Sequence, residues 1–429
     1  MPPVKTNATA GAASTIDAEL VNERPGRLIY RLNLNVVGGA EVSFAQYAGY
    51  RRACHDDDTV IVDDPIHPRF EAVIAPPFRT VSRRTLRHWH GVRLPRSARA
   101  LRARNAVSQL VRGGESALVG WNSIGNRDVA DIADRAGLPL IHYEHGQAWR
   151  QQRRHARRYL ARAHGVISNS FAAERMLALR WGWQGPTKRV YCAIDGILDA
   201  GAARIALPKD RPLRLGSAGR MVEVKGHLIA LHVLKTLRDV HGVDAQLTIA
   251  GTGERETALR ETARTLGLAP VVRFAGSVDD MGAFYDAIDL LLVASLREPF
   301  GRTSIEAQAR GCPVVATAVD GLPETLPATQ QAESLVAPEW SLAEYANELG
   351  GQSDIGVPWV YDPQTDELVH PRAPTPTRFA AAVMQLIGSD AAYQRASQCG
   401  LRHVGARFSV DDYGPALDRA ILRLTTDGV

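Results

Sequence analysis

What this 429-residue chain lacks narrows its class. It has only four cysteines, Cys54, Cys192, Cys312 and Cys399, far apart and without a CxxC or a neighbouring histidine cluster. That spacing excludes a disulfide framework and a structural zinc as expectations, and it favours a reduced, cytoplasmic setting. No apolar run approaches the roughly 18 residues of a membrane span. The opening "MPPVKTNATAGAASTIDAEL" has one lysine and no apolar centre, so it reads as a flexible extension and not a signal peptide. Neither GxxxxGK[ST] nor GxGxxG occurs, which removes the P-loop and the dinucleotide fingerprint. Aromatics are scarce, at 6%, and no nucleic-acid module is recognisable, so nucleic acid is not an expected partner. The acidic runs "HDDDT" and "VDDP" read as polar loops, with Asp56 to Asp58 between a helix and a strand, and no metal is expected.

Acidic residues are missing from one long stretch. Residues 72–114 hold ten arginines and no Asp or Glu, and "WRQQRRHARRYLAR" holds six more. The net charge of +5 is therefore concentrated in the N-terminal half. Two readings stand side by side. One is a solvated basic face. The other is attraction to anionic lipid or to a phosphate-bearing substrate, where each Lys or Arg adds about 1 kcal/mol.

What is present is an alternation of strands and helices, twice over. In the first half the runs "GRLIYRLNLN", "DTVIVDD", "SALVGW", "LPLIHYEH", "GVISNS" and "KRVYCAI" predict strands. Amphipathic stretches such as "GGAEVSFAQYAGYRRA", "RDVADIADRAG", "AWRQQRRHARRYLARA" and "FAAERMLALRWG" predict the helices between them. The second half repeats this with five strands, "LRLGSAG", "AQLTIAG", "VVRFAG", "DLLLVAS" and "PVVAT", and four crossovers. Short apolar runs followed by amphipathic helices predict a parallel α/β sheet in each half. The polar, Pro-bearing "LPKDRPLR" (residues 207–214) reads as the hinge. The predicted organisation is a flexible extension over 1–24, a Rossmann-like domain over 25–206, a second over 207–388, and C-terminal helices over 389–429 that cross back to the first domain. An insertion at about 327–376 is too long for an ordinary connection. Two such domains predict a cleft between the carboxyl ends of their strands.

The chemistry gathers at predicted strand ends. Glu298 follows "DLLLVAS" and precedes Pro299, which pushes its backbone to an extended form at the rim of the sheet. Phe300 and Gly301 follow, the glycine permitting close backbone approach. The amides of Arg302, Thr303 and Ser304 then open a helix, a natural anion site. Glu306 is open to two readings, because Thr303-Ser-Ile-Glu306 is also a capping box. Arg220 and Lys225 lie in the turn "GRMVEVKG" after the first strand of the second half, where two cations could neutralise a diphosphate. In the first half, Gly38 and Gly39 open a helix after a strand. "IHYEHG" ends another strand with His142, Glu144 and His145, which are structural or catalytic, His145 being the stronger candidate beside Gly146.

Together these motifs resemble the retaining glycosyltransferases of family 4, with the GT-B fold. The resemblance is strongest over residues 213–324. Its carriers are "GRMVEVKG", "AGTGE" followed by "VRFAGSV", and "EPFGRTSIEAQARGCPVVAT" running into "DGLPE", with Glu298 and Glu306 as the E-x7-E pair. The N-terminal half matches more loosely, through "GGAE", "YEHG" and "ISNSFAAERM". The resemblance implies that Glu298 contacts the donor sugar near the reacting centre, with the Phe300–Gly301 backbone on sugar hydroxyls and Glu306 on the ribose. Arg220 and Lys225 would clamp the diphosphate, helped by Arg302, Thr303, Ser304 and the Gly38 and Gly39 amides. Backbone at Gly276, Ser277 and Val278 would meet the base, and His145 would lie by the sugar. It implies a UDP- or GDP-linked donor, a glycan, lipid-linked or small-molecule acceptor, and no metal or other cofactor. One departure stands out: where the family carries the first glycine of a GGxPE turn, this chain has Asp320. Two rivals share the fold, a nucleotide-sugar epimerase or hydrolase and a non-catalytic nucleotide-sugar-binding partner.

Overall fold

Runs of buried β-branched residues separated by amphipathic helices can hide both faces of a sheet only by laying helices on each side. A computed structural model of the chain describes residues 24–54, 57–63, 65–82, 88–89, 92–93, 95, 111–150, 155–194 and 201–426. It separates into two units, Met1–Ala193 with Val410–Val429, and Ile194–Ser409. The division thus falls before the predicted hinge at 207–214. It also parts the C-terminal helices: Asp390–Arg407 stays in the second unit while Val410–Thr426 belongs to the first.

The first unit carries a seven-stranded sheet. Its strands are β1 (Arg27–Arg31), β2 (Thr59–Val62), β3 (Arg79–Ser82), β4 (Glu115–Trp121), β5 (Leu140–Glu144), β6 (Gly165–Ser168) and β7 (Thr187–Arg189), in the order β3-β2-β1-β4-β5-β6-β7. Every pairing is parallel. β2, β5 and β6 are buried along their whole length, which is why their sequences read as apolar runs without alternation. β3 was not legible. It is an edge strand, half-exposed, at the start of the arginine-rich stretch. Most of that stretch, including 83–87 and 96–110, lies outside the described residues. Of the long helix expected over "AWRQQRRHARRYLARA", the described residues show a single turn at Gln147–Trp149, ended by an extended Arg150, and a short helix at Ala156–Leu160. Asp58, read as loop solvation, is fully buried. It accepts from the Leu28 amide (2.8 Å), the Tyr30 hydroxyl (3.0 Å) and the buried Arg51 guanidinium (2.9 Å). Arg51 also reaches Asp418 (3.5 Å), which accepts from Tyr47 (2.6 Å), so helix α1 (Gly39–Cys54) and the C-terminal helix share one buried polar network.

The second unit carries a six-stranded parallel sheet, one strand more than expected. Its strands are β8 (Leu213–Ala218), β9 (Ala245–Ala250), β10 (Val272–Gly276), β11 (Leu290–Val293), β12 (Val314–Thr317) and β13 (Leu335–Val336). The order is β10-β9-β8-β11-β12-β13, all parallel. Only two residues long, β13 leaves too little pattern to read. Helix α2 (His227–Asp239) buries nearly every apolar residue it has, Leu228 to Leu237, in the core of this unit. The predicted insertion is ordered structure, with helix α4 (Leu342–Leu349) and two antiparallel pairs. These are β14 (Trp340–Ser341) with β17 (Arg372–Ala373), and the hairpin β15 (Val360–Asp362) with β16 (Glu367–Val369). Helix α3 (Arg302–Ala309) precedes it. No described helix is long and apolar enough to cross a membrane. None of the four cysteines is in a disulfide.

Candidate active site

Parallel strands bring their carboxyl ends to one edge of a sheet, and in the second unit that edge is built from glycine-bearing loops. Gly219 after β8 and Gly251 after β9 are both left-handed or nearly so (φ 140° and 129°). A Cβ on Gly251 would lie 1.9 Å from the Gly219 carbonyl, so only glycine lets these backbones touch. The Gly219 amide donates to Ala250 O (2.9 Å) and the Gly251 amide to Gly276 O (2.7 Å), which joins the ends of β8, β9 and β10. The chain then makes a turn at Glu223–Lys225 and enters α2 through Gly226. Gly226 (φ 67°) sits so tightly that a Cβ would fall 1.8 Å from Ala294 O. The Leu296 amide donates to Val224 O (2.9 Å), drawing the loop after β11 against this turn.

Those contacts bring Lys225 and Glu298 together. Lys225 Nζ lies 2.5 Å from Glu298 Oε2, and the Ser295 hydroxyl donates to the same oxygen at 3.3 Å. The Lys225 side chain keeps 22% of its surface and Glu298 keeps 11%, so the pair sits at a rim and is not sealed. Phe300 is buried against Phe408 (5.6 Å, edge-on), which anchors the turn. Gly301 (φ 110°) starts α3.

The capping-box reading of Glu306 is not realised. Gly301 is the N-cap of α3 and no side chain caps it, which puts Thr303 and Glu306 inside the helix. Glu306 instead accepts from the Tyr285 hydroxyl (2.9 Å) and pairs with Arg302 (3.3 Å). Burial, and then Glu306, push the Tyr285 hydroxyl well above its ordinary pKa, so it stays a donor. Ser304 is already engaged: its amide donates to Gly301 O (3.0 Å), and its buried hydroxyl accepts from Thr325 (2.8 Å). Thr303 is half-exposed. Arg220 is exposed, and its carbonyl accepts from His227 Nε2 (3.2 Å). The other ring nitrogen of His227 accepts from the Ser217 hydroxyl (2.9 Å). Burial pulls His227 down to about 4, with Lys225 adding to the effect, so it is a neutral strut under the Arg220–Lys225 turn. Gly276 ends β10, with Ser277 exposed and Val278 half-exposed beside it.

In the first unit, Gly38 precedes α1 and Gly39 begins it, and the Trp121 indole holds that helix start by donating to Ala40 O (2.9 Å). His142 and Glu144 are both fully buried and 2.9 Å apart. Glu144 also accepts from the amides of Gly146 (2.5 Å) and Ala148 (3.0 Å). Burial alone would raise the Glu144 pKa; the bonds from His142 and these amides hold it below the ordinary carboxylate range. This pair is structural. His145 is different: it is half-exposed, stacked on Trp121 (5.3 Å) and close to Tyr143 (4.1 Å), with Cys192 Sγ 3.8 Å from its Nδ1. Trp121 escaped the sequence reading, as did Glu223, His227 and Tyr285, and Cys192 was noted only as a cysteine without a pairing pattern. Only the position of His227, directly after "VKG", could have signalled it. Among the described residues no group of three His, Cys, Asp or Glu side chains is arranged to hold a metal ion.

Residues 212–350 match a family model described as "Glycosyl transferases group 1". Among curated proteins, the chain is 31% identical over 156 residues to the lipopolysaccharide core biosynthesis glycosyltransferase LpsE of Rhizobium meliloti, covering 36% of this chain and 44% of that protein. It is 36% identical over 117 residues to a D-inositol 3-phosphate glycosyltransferase of Corynebacterium kroppenstedtii, covering 25% of this chain and 26% of that protein. The matched stretch therefore spans less than half the length of these relatives. Solved structures cover far more. Anabaena HepE in complex with UDP and glucose aligns over 92% of this chain and 99% of its own, with a TM-score of 0.67 at 16% identity. The pneumococcal O-GlcNAc transferase GtfA in complex with UDP and GlcNAc aligns over 94% and 100%, with a TM-score of 0.67 at 12% identity. The fold is that of GT-B glycosyltransferase structures, two parallel-sheet α/β domains.

Proposed function

We propose that this chain is a retaining, family 4-type glycosyltransferase that moves a sugar from a nucleoside diphosphate donor to an acceptor hydroxyl. The observation that carries the reading is the Lys225–Glu298 pair, half-open at the carboxyl edge of the second sheet, within the stretch matching the glycosyltransferase family model. Solved neighbours of the same fold hold UDP or UDP-glucose, which favours a UDP-linked donor over a GDP-linked one here. Lipopolysaccharide relatives favour a glycan or lipid-linked acceptor in surface polysaccharide synthesis.

Each group then has a physical task. Glycosyl transfer breaks the bond between the anomeric carbon and the β-phosphate oxygen and forms one to the acceptor oxygen. Negative charge builds on the departing diphosphate, where Lys225, Arg220 and the amide end of α3 stabilise it. Positive charge builds on the sugar ring, where the Glu298 carboxylate stabilises it and accepts from sugar hydroxyls. The backbone at Phe300 and Gly301 meets the same hydroxyls. Glu306, oriented by Tyr285, accepts from the ribose, and backbone at Gly276, Ser277 and Val278 meets the base. Attack from the face the diphosphate leaves gives retention, and the acceptor proton passes to the departing phosphate oxygen. The cations supply the charge for the leaving group, so the reading is metal-independent.

The test is a thermal-shift panel with UDP, GDP, ADP, CMP and dTDP on the wild type and Glu306→Ala. Ligand at about a hundred times its dissociation constant stabilises by about 2.7 kcal/mol. A shift with one nucleotide, lost in the variant, is expected. No shift with any of them sinks the donor-site assignment. Donor turnover without acceptor favours the epimerase or hydrolase reading, and binding without turnover on any acceptor favours the non-catalytic one.

A further inference from the structure

Two buried carboxylates outside the proposed donor-contacting set fasten the insertion to the two turns that carry Lys225 and Glu298. The first is Asp320, 1% exposed and in the left-handed region (φ 49°). Its Oδ2 accepts from the Glu298 amide (2.9 Å) and its Oδ1 from the Tyr361 amide (2.7 Å). Its own amide donates to Tyr361 O (3.0 Å), and the Gly321 amide donates to Glu298 O (3.1 Å). One residue and its neighbour thus pair with the backbone of Glu298 on one side and with strand β15 of the insertion on the other. The second is Glu223, 7% exposed, in the turn that ends at Lys225. Its Oε1 accepts from the Tyr345 hydroxyl (2.6 Å) and the Gln352 amide (3.0 Å), and its Oε2 lies 2.7 Å from Arg255 Nε. Tyr345 is a fully buried residue of α4.

The insertion is therefore bonded through α4 to the Lys225 turn and through β15 to the Glu298 loop, and the tips of those two segments meet at 2.5 Å. Apolar packing could hold a helix and a hairpin in place, but it fixes distance poorly and direction hardly at all. A buried carboxylate is costly unless its oxygens are satisfied, so one that divides them between two distant amides locks both in register. Asp320 also tolerates a backbone conformation that a glycine would take without strain.

We propose that the insertion is a positioning device for the donor site. Asp320 and Glu223 are positioning residues that set the separation and orientation of Lys225 and Glu298, and the β15–β16 hairpin moves with the Glu298 loop as one body. The inference rests on the donor-site reading above. It makes the hairpin responsive to what occupies that site.

The test is hydrogen exchange followed by mass spectrometry on the full chain, wild type against Asp320→Gly. Glycine suits the left-handed backbone, so the variant removes the carboxylate without adding strain. Without ligand, peptides over 296–301 and over 357–369 should both exchange about tenfold faster in the variant, with α2 unchanged. Faster exchange confined to 357–369 would mean that the hairpin is only tethered, and would overturn the proposal. UDP should slow exchange over 357–369 in the wild type and not in the variant. UDP binding that leaves the wild-type hairpin unmoved overturns the coupling while the donor-site reading stands. If UDP does not bind, that reading fails instead, and the ligand-free comparison still decides the clasp. Should Asp320→Gly not fold, Glu223→Gln and Tyr345→Phe carry the same comparison over 221–226 and 342–352. In turnover, Asp320→Gly should lower kcat roughly tenfold to a hundredfold with UDP affinity within about twofold. Equal loss of both would indicate general loosening and count against the proposal.

Discussion

Glu144 and Glu298 hold comparable places in their sheets: each stands at the carboxyl end of a buried parallel strand, shortly before a glycine turn. Their use differs completely. Glu144 has no exposed surface, and its oxygens are taken by His142 and by two amides of the very loop it starts. Glu298 keeps some exposure and is matched to a lysine that is itself reachable from solvent. A carboxylate whose acceptors are consumed by its own loop builds that loop. One held by a partly open cation can exchange partners with a ligand. The two are alike in sequence because strand-end position is local, whereas the identity of the partners is set by which other loops arrive at the same edge.

The strongest way to break that contrast is to remove the buried carboxylate. Glu144→Ala leaves His142 and the Gly146 and Ala148 amides without their acceptor. Breaking such a pair costs roughly 3–5 kcal/mol, and that loss should appear in urea unfolding of the first-unit core. A change below about 1 kcal/mol would mean that the network is dispensable and would reopen a catalytic role for Glu144.

Next in size are the open partners. Lys225→Ala and Glu298→Gln should each lower transfer turnover by roughly a hundredfold to a thousandfold, the effect of deleting one group that stabilises transition-state charge. Melting temperature should move by only a few degrees, since the pair sits at a rim where water can reach the group left behind. Wild-type turnover in either variant would leave Glu298 as structural as Glu144.

The fold was largely legible, and the physical reason is burial on both faces. "DLLLVAS" and "PVVAT" became β11 and β12 because parallel strands covered by helices need continuous apolar runs. What escaped was short or peripheral: edge strand β3, two-residue β13, and the end of the turn at Gln147–Trp149, where Trp149 is buried and Arg150 is already extended. At the site, Glu298 and Lys225 could be picked out because glycine and proline mark their turns. Glu223 and Asp320 could not. Their partners, Tyr345, Gln352 and Tyr361, lie far along the chain, and no local pattern encodes a contact made by tertiary arrival. Asp320 was visible only as a departure from a glycine, without its meaning.

A third test uses acid to separate the site's support from its charges. His227 takes a proton near 4 when folded, against 6.5 ordinarily, because burial and Lys225 disfavour the imidazolium. Between those values the unfolded chain holds the extra proton. Its contribution is therefore complete above pH 6.5 and is lost as pH falls toward 4, by about 3 kcal/mol. His403, also drawn down to about 4, adds a slope of the same sign. His227→Gln should flatten the acid limb of stability against pH by its own share and leave that of His403. An unchanged acid limb would show that the folded ring takes its proton as readily as the unfolded one, so that burial does not hold it neutral.

The smallest expected effect extends the contrast from two residues to two halves. The first half carries the sixteen arginines of the two basic stretches, while the second half carries the proposed donor contacts. If the first half meets an anionic surface, neutralising one arginine of the stretch at 83–104, for example Arg83→Ala, should weaken binding to phosphatidylserine vesicles by about 1 kcal/mol, near fivefold. The loss should shrink as salt shortens the screening length, and the UDP-induced thermal shift should not move. A solvated basic face predicts something else: weak vesicle binding in the wild type and no change on neutralisation. Sedimentation with vesicles at low and high salt separates the two. Parallel loss of vesicle binding and UDP binding would contradict both, because it would place phosphate recognition in the arginine stretch instead of at Lys225 and Arg220.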